Sequence, residues 1–168
     1  MKAVVQRVKN ASVSVEGKIT GRIETGLLVY LGVAAGDRKD EADWMAGKIA
    51  NLRIFDDAEG KMNLSIKDLA SAGETQEAYK IPKQPAPGVL AISQFTLLGD
   101  ARKGRRPSWG GVVSPEIAKP LYEYFIAKIR SQGLNCEEGI FQARMEVSYT
   151  NEGPVTILLD TRETGNLS

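Results

Sequence analysis

Four short segments carry the side chains whose types and spacing could do chemistry. Ser93-Gln94-Phe95-Thr96-Leu97 places two hydroxyls and an amide at the end of an apolar run. Polar groups at a strand end often face a cleft, and the backbone N–H groups beside them can stabilise an oxyanion. The same hydroxyls can equally bond the local turn. Asn151-Glu152-Gly153-Pro154-Val155-Thr156 contains the only Gly-Pro pair of the chain. One reading is a hairpin connection between two strands. The other is a cis bond that turns two backbone carbonyls the same way, fixed acceptors that offer neither nucleophile nor base. Arg102-Lys103-Gly104-Arg105-Arg106-Pro107-Ser108-Trp109-Gly110-Gly111 sets four cations within five residues, beside an aromatic and several glycines. Such a run can grip phosphates and stack on a base, or remain a solvated loop. Gly60-Lys61-Met62-Asn63 suits a turn with Met62 packed inward, and Trp44 suits a core position.

What the chain lacks narrows the chemistry. It has no histidine and one cysteine, Cys136. That excludes Ser-His-Asp and Cys-His triads, and it excludes His-containing and Cys-rich zinc sites. No metal and no cofactor are expected. Acid–base chemistry is left to carboxylates, a hydroxyl, the substrate itself or water. Glu137 and Glu138 beside Cys136 disfavour a reactive thiolate. The net charge of +1 supplies no global field, so any RNA contact needs a local basic patch. No run approaches the ~20 apolar residues of a membrane span, and Met1 to Arg7 lack a signal-peptide pattern. The expectation is a cytoplasmic protein with no membrane partner.

The elements that must position these segments can be read from periodicity. Residues 11–15 alternate as a half-buried strand, and Glu16-Gly17-Lys18 turns into Ile19 to Ile23. Gly26 to Val33 reads as a buried strand. Asp37 or Asp40 can cap a helix running to about Leu52. Arg53-Ile54-Phe55 suits a short strand, residues 71–87 a loop, and Val89 to Phe95 another strand. Ser114-Pro115 opens a helix whose Ile117, Leu121, Phe125 and Ile129 fall on one face, with a kink or delayed start at Pro120 and a stop at Gly133. Residues 143–149 and 155–159 read as two closing strands. The 168 residues thus form one domain over residues 1–161, with a polar tail over 162–168. Its class is α+β, with a mostly antiparallel, curled or barrel-like sheet.

In this order and spacing, the segments resemble the D-aminoacyl-tRNA deacylase (D-Tyr-tRNA deacylase) family of the bacterial and eukaryotic type. The likeness runs from Met1-Lys2-Ala3-Val4-Val5-Gln6-Arg7 to Val155-Thr156-Ile157-Leu158-Leu159-Asp160, and rests above all on Ser93-Gln94-Phe95-Thr96 and Gly153-Pro154-Val155-Thr156. It implies an ester hydrolase that removes D-amino acids, and mischarged glycine, from tRNA. It implies a homodimer of curled sheets with flanking helices and an active site at the interface. There, a cis Gly153-Pro154 would enter the partner's pocket as a chirality filter. Ser93, Gln94, Phe95 and Thr96 would line the pocket for the terminal adenosine and ester. The Phe95 N–H would be the oxyanion donor, Met145 would pack at the wall, and Arg102, Lys103, Arg105 and Arg106 would meet the tRNA backbone. The tRNA's own terminal 2′-hydroxyl, rather than Thr96, would be the activating group. Two positions depart from the family pattern: Gln142 stands where a glycine is usual before Ala143, and Leu98 where an aromatic is usual. Two rival readings of the residues are a hydrolase of small esters using Thr96 or Ser93, and a non-catalytic RNA-binding module built on Arg102 to Arg106.

Overall fold

The computed structural model describes residues 1–72 and 86–163. Its spine is the long strand β1 (Lys2–Val15). Toward one edge, the first half of β1 pairs antiparallel with β3 (Gly26–Gly32) and the second half with β2 (Lys18–Ile23). Both halves also pair antiparallel with β8 (Glu146–Asp160). β3 continues in parallel to β6 (Gly88–Ser93), and β6 in parallel to β7 (Asn135–Glu138). β2 lies against β7, so five strands curl into a nearly closed barrel and β8 remains as an edge.

Alternation along the strands divides the apolar side chains between two cores. Val8, Ala11, Val13, Ile23, Leu28, Leu90 and Ile92 fill the barrel. Ala3, Val5, Leu27, Val29, Val89 and Ala91 face outward, onto α1 (Lys39–Ala50) and α3 (Pro115–Ser131), and meet Met45, Ile49, Phe125 and Ile129. β3 and β6 are buried on both faces, which is why their sequences run apolar without alternating. Each buried valine, leucine or isoleucine among them contributes roughly 1.5–3 kcal/mol.

Several expectations change. β1 begins at Lys2 rather than at residue 11; a buried arginine, Arg7, interrupts the apolar rhythm of its first half. Residues 143–149 and 155–159 do not form a hairpin. β8 is one strand through Gly153-Pro154, and the register against β1 shifts between Gln6 and Val8 and again between Val8 and Asn10. The bulge absorbs the dipeptide, and an edge strand tolerates a proline that donates no ladder bond. α1 is preceded by Arg38, whose N–H donates to Glu41 at 2.7 Å. Asp37 instead accepts from the Ala34 N–H and from the Met1 ammonium, each at 2.6 Å. α3 starts at Pro115 and runs through Pro120 without delay. Its buried face is Tyr122, Phe125, Ile126 and Ile129, while Ile117 is exposed. A strict four-residue spacing drifts around a helix of 3.6 residues per turn, so the first member rotates off the face.

The short strands β4 (Phe55–Asp56) and β5 (Met62–Leu64) pair with each other, and Met62 points outward rather than in. The last turn of a helix, α2 (Ile66–Ala72), takes the first two residues of the stretch expected to be loop; residues 73–85 of that stretch lie outside the described residues, and 86–87 are neither helix nor strand. Beyond β8, Thr161–Glu163 form a 3-10 turn in which Arg162 pairs with Asp160. Cys136 is buried, and burial pushes its thiol up to about 12. Among the described residues no helix is long and apolar enough to cross a membrane, and no acidic, Cys or His group could hold a metal ion.

Candidate active site

The end of β6 is tied to its neighbour one residue past the strand, where the Gln94 N–H donates to the Leu31 carbonyl at 2.8 Å. The chain then tightens into a 3-10 turn, Phe95–Leu98, pinned by the buried Leu98. The Phe95 N–H lies in the first residue of that turn, where a helix supplies no acceptor of its own. Beside it opens a cavity of about 580 Å³. Ser93, Gln94 and Phe95 line one part; Phe141, Gln142, Ala143 and Met145 another; Val112 and Val113 a third.

The lining is polar in places yet almost without ionisable groups. No aspartate, glutamate, lysine or arginine lines the cavity. Tyr122 does, but its hydroxyl donates to the Ala91 carbonyl at 2.8 Å, and burial holds its pKa far above the usual phenol range. It is therefore neither a base nor a free acid near neutral pH. Phe141 packs against the Tyr122 ring at a centroid distance of 5.9 Å. Gln142 adopts φ 64 and is exposed at the rim, so the departure there changes the cavity edge rather than filling it.

Thr96 does not line this cavity. Its hydroxyl accepts a hydrogen bond from the Gln94 side-chain amide, and no ionisable group bonds it among the described residues. A hydroxyl nucleophile needs a neighbour to take its proton. Thr96→Ala is accordingly expected to keep the rate of ester cleavage within about threefold, the cost of one exposed hydrogen bond. Single-turnover cleavage measures this, and complete loss with binding intact would restore the threonine as nucleophile.

Gly153 and Pro154 also lie outside the cavity of their own chain. The bond between them is cis, and both residues are exposed on β8. Gly153 has φ +114, and a Cβ there would stand 2.8 Å from Val155 Cγ2 and 3.3 Å from Arg7 Nη2. Arg7 is thus the residue behind the dipeptide, a position that sequence reading passed over. It is only 6% exposed; its Nη1 donates to the Ile54 carbonyl at 2.8 Å and to Asp56 at 3.2 Å. Its Nε is 3.6 Å from Glu152, within ion-pair range but beyond a hydrogen bond. The visible signal was a cation set among Val5, Gln6 and Val8, in a strand otherwise apolar on alternate positions.

None of the four cations of the basic segment lines the cavity. Asp100 and Ser108 exchange two backbone hydrogen bonds of 2.9 Å, closing a loop at its neck. Arg102 is held within it by Asp100, at 2.8 and 2.7 Å, and that guanidinium keeps the Asp100 carboxyl well below the usual range. Lys103, Arg105 and Arg106 are exposed and make no ion pair among the described residues. The structure therefore gathers Ser93, Gln94, Phe95 and Met145 into one cavity, and leaves Thr96, the Gly-Pro pair and the cations out of its lining.

A model of the D-Tyr-tRNA(Tyr) deacylase family matches residues 4–160. The chain belongs to that family. It is 55% identical over 163 residues to a D-aminoacyl-tRNA deacylase of Koribacter versatilis, covering 97% of this chain and 99% of the relative. It is 51% identical over 163 residues to one of Fervidobacterium nodosum, with the same coverage of both. Among solved structures, the c-Myc DNA Unwinding Element Binding Protein shares 36% identity with a TM-score of 0.80, covering 96% of this chain and 99% of that one. A probable eukaryotic D-amino acid tRNA deacylase, 18% identical with a TM-score of 0.72 over 94% of this chain and 97% of that one, shares the fold. Members of this family named as deacylases are hydrolases, and the chain is an enzyme of that kind.

Proposed function

We propose that the chain hydrolyses the ester bond of D-aminoacyl-tRNA, and of glycine mischarged on tRNA, as a homodimer with substrate-assisted chemistry. The observation that carries the reading is the cavity beside Phe95. It places the Phe95 N–H beside a developing oxyanion, and no carboxylate, lysine or arginine lines it to take a proton from a hydroxyl such as that of Ser93. In the reaction a water oxygen adds to the ester carbonyl carbon. The bond to the terminal ribose oxygen then breaks, and that oxygen leaves with a proton. The products are the free amino acid and tRNA with an uncharged 3′ end. The 2′-hydroxyl next to the scissile ester is the activating group, and the Phe95 N–H stabilises the charge on the carbonyl oxygen.

Handedness is selected by exclusion, because affinity for a small added group discriminates poorly. The carbonyls of a partner's Gly153 and Pro154 face the α-carbon and leave no room for an L side chain. Glycine, having none, passes. Two features support the cross-subunit arrangement. The dipeptide is exposed and outside its own chain's cavity. On the same edge strand Leu158, opposite Val4 of β1, is 75% exposed, an apolar residue suited to burial against a second copy. Lys103, Arg105 and Arg106 meet the tRNA phosphates, with Arg102 partly spent on Asp100.

Mixing two disabled variants tests the arrangement. Gly153→Ala spoils the filter, and Ala143→Trp blocks the cavity. In a mixed dimer the unblocked cavity receives the intact dipeptide. Unfolding and refolding the two together is expected to restore about a quarter of wild-type activity, from half the dimers with one good site each. No restoration, with heterodimers present by mass spectrometry, overturns the cross-subunit filter. Matched D- and L-aminoacyl-tRNA on the unaltered enzyme test the activity itself.

A further inference from the structure

At the mouth of the cavity stands an aromatic pair that the reading above does not use. Phe95 and Trp109 are 57% and 43% exposed, with ring centroids 5.2 Å apart and planes tilted by 59°. Trp109 is set there by the fold. It follows directly on Ser108, at the neck of the basic loop, and its carbonyl accepts from the Val112 N–H at 3.0 Å. Its six-membered ring lies on Gly99, where a Cβ would come within 2.8 Å of the indole. Any side chain at Gly99 would displace the indole. An indole fixed at its edge and open to solvent is the form a base-stacking platform takes.

We infer that Trp109, with Phe95, stacks the nucleobase immediately 5′ of the terminal adenosine of the tRNA. This rests on the assignment of the cavity to that adenosine. Three features occur in a fixed order: the cavity lined by Phe95, the Phe95–Trp109 pair, and the loop bearing Lys103, Arg105 and Arg106. A single strand entering from the phosphate-binding side and ending in the cavity must pass its next base over the ring pair. The exposed cations beside it match the charge of that strand, and stacking is indifferent to the identity of the base. Every charged tRNA would thus be held alike, and the contact would register the substrate's 3′ end without reading the amino acid.

The test compares three enzymes on two substrates, D-aminoacyl-tRNA and a D-aminoacyl-adenosine that has no preceding nucleotide. Trp109→Leu keeps an apolar side chain on Gly99 but removes the π face; Trp109→Phe keeps a smaller one. For Trp109→Leu the expected result is a KM on the tRNA raised about tenfold with kcat kept, a much smaller change on the adenosine substrate, and recovery of most of the loss in Trp109→Phe. Equal losses on both substrates would mean that Trp109 merely shapes the cavity, and would overturn the inference. So would an unchanged KM on the tRNA. Failure of the unaltered enzyme to cleave either substrate would instead bring down the cavity assignment, a result plainly separate from the other two.

Discussion

Replacing Gly153 with alanine is expected to lower cleavage of D-aminoacyl-tRNA about a hundredfold while the protein stays folded, the effect of misplacing a substrate-positioning group by about 1 Å. The expectation follows from the geometry at this position. At φ +114 an L side chain is strained, and the added Cβ would meet Val155 Cγ2 at 2.8 Å. Relief requires the strand to shift, and the carbonyls that exclude the L enantiomer shift with it. The strain costs about 1–3 kcal/mol, at an exposed position of an edge strand that supplies no fully buried residue to either core, so global folding survives. Single-turnover rates on D- and L-aminoacyl-tRNA, with circular dichroism and sedimentation as controls, measure the outcome. Wild-type rates and unchanged preference in a folded variant would remove Gly153 from the filter.

The second large effect belongs to Arg7. Arg7→Leu leaves the Ile54 carbonyl, Asp56 and Glu152 without their shared cation. Removing one member of a buried charge cluster costs about 3–5 kcal/mol, and the part-exposed carboxylates bring the figure here to about 2–3 kcal/mol. For a domain of this size that lowers Tm by about 5–10 °C. Activity should fall as well, even well below the new Tm, because Arg7 backs Gly153 and pairs with the residue before it. Thermal melts and deacylation at low temperature separate the two effects. An unchanged melting temperature would show that the cluster holds nothing.

How far the fold and site could be read depended on whether the signal was local. The apolar runs of β3 and β6 and the helical spacing of α1 and α3 were legible, because burial on one or both faces leaves a periodic trace in the chain itself. The long reach of β1 was not, because a buried arginine looks like a solvated one until its partners are known. β8 was misread as a hairpin for a related reason. Gly-Pro is turn chemistry by composition, and only a fourteen-residue partner strand shows that the chain continues straight on. Asp37 looked like a helix cap and became the acceptor of a distant ammonium.

The sequence by itself determined the chemical inventory. With no histidine and one cysteine, it ruled out the common hydrolytic triads and zinc sites, and it supplied the segments Ser93 to Thr96, Gly153-Pro154 and Arg102 to Arg106. Only the tertiary structure decided which of these meet. It put Ser93, Gln94, Phe95 and Met145 around one uncharged cavity, and left the Gly-Pro pair outside it, backed by Arg7. It also turned Trp109 toward Phe95. Residue types are a property of the chain, but proximity comes from strand pairing between positions as far apart as Lys2 and Asp160, and no local pattern encodes a separation of that length.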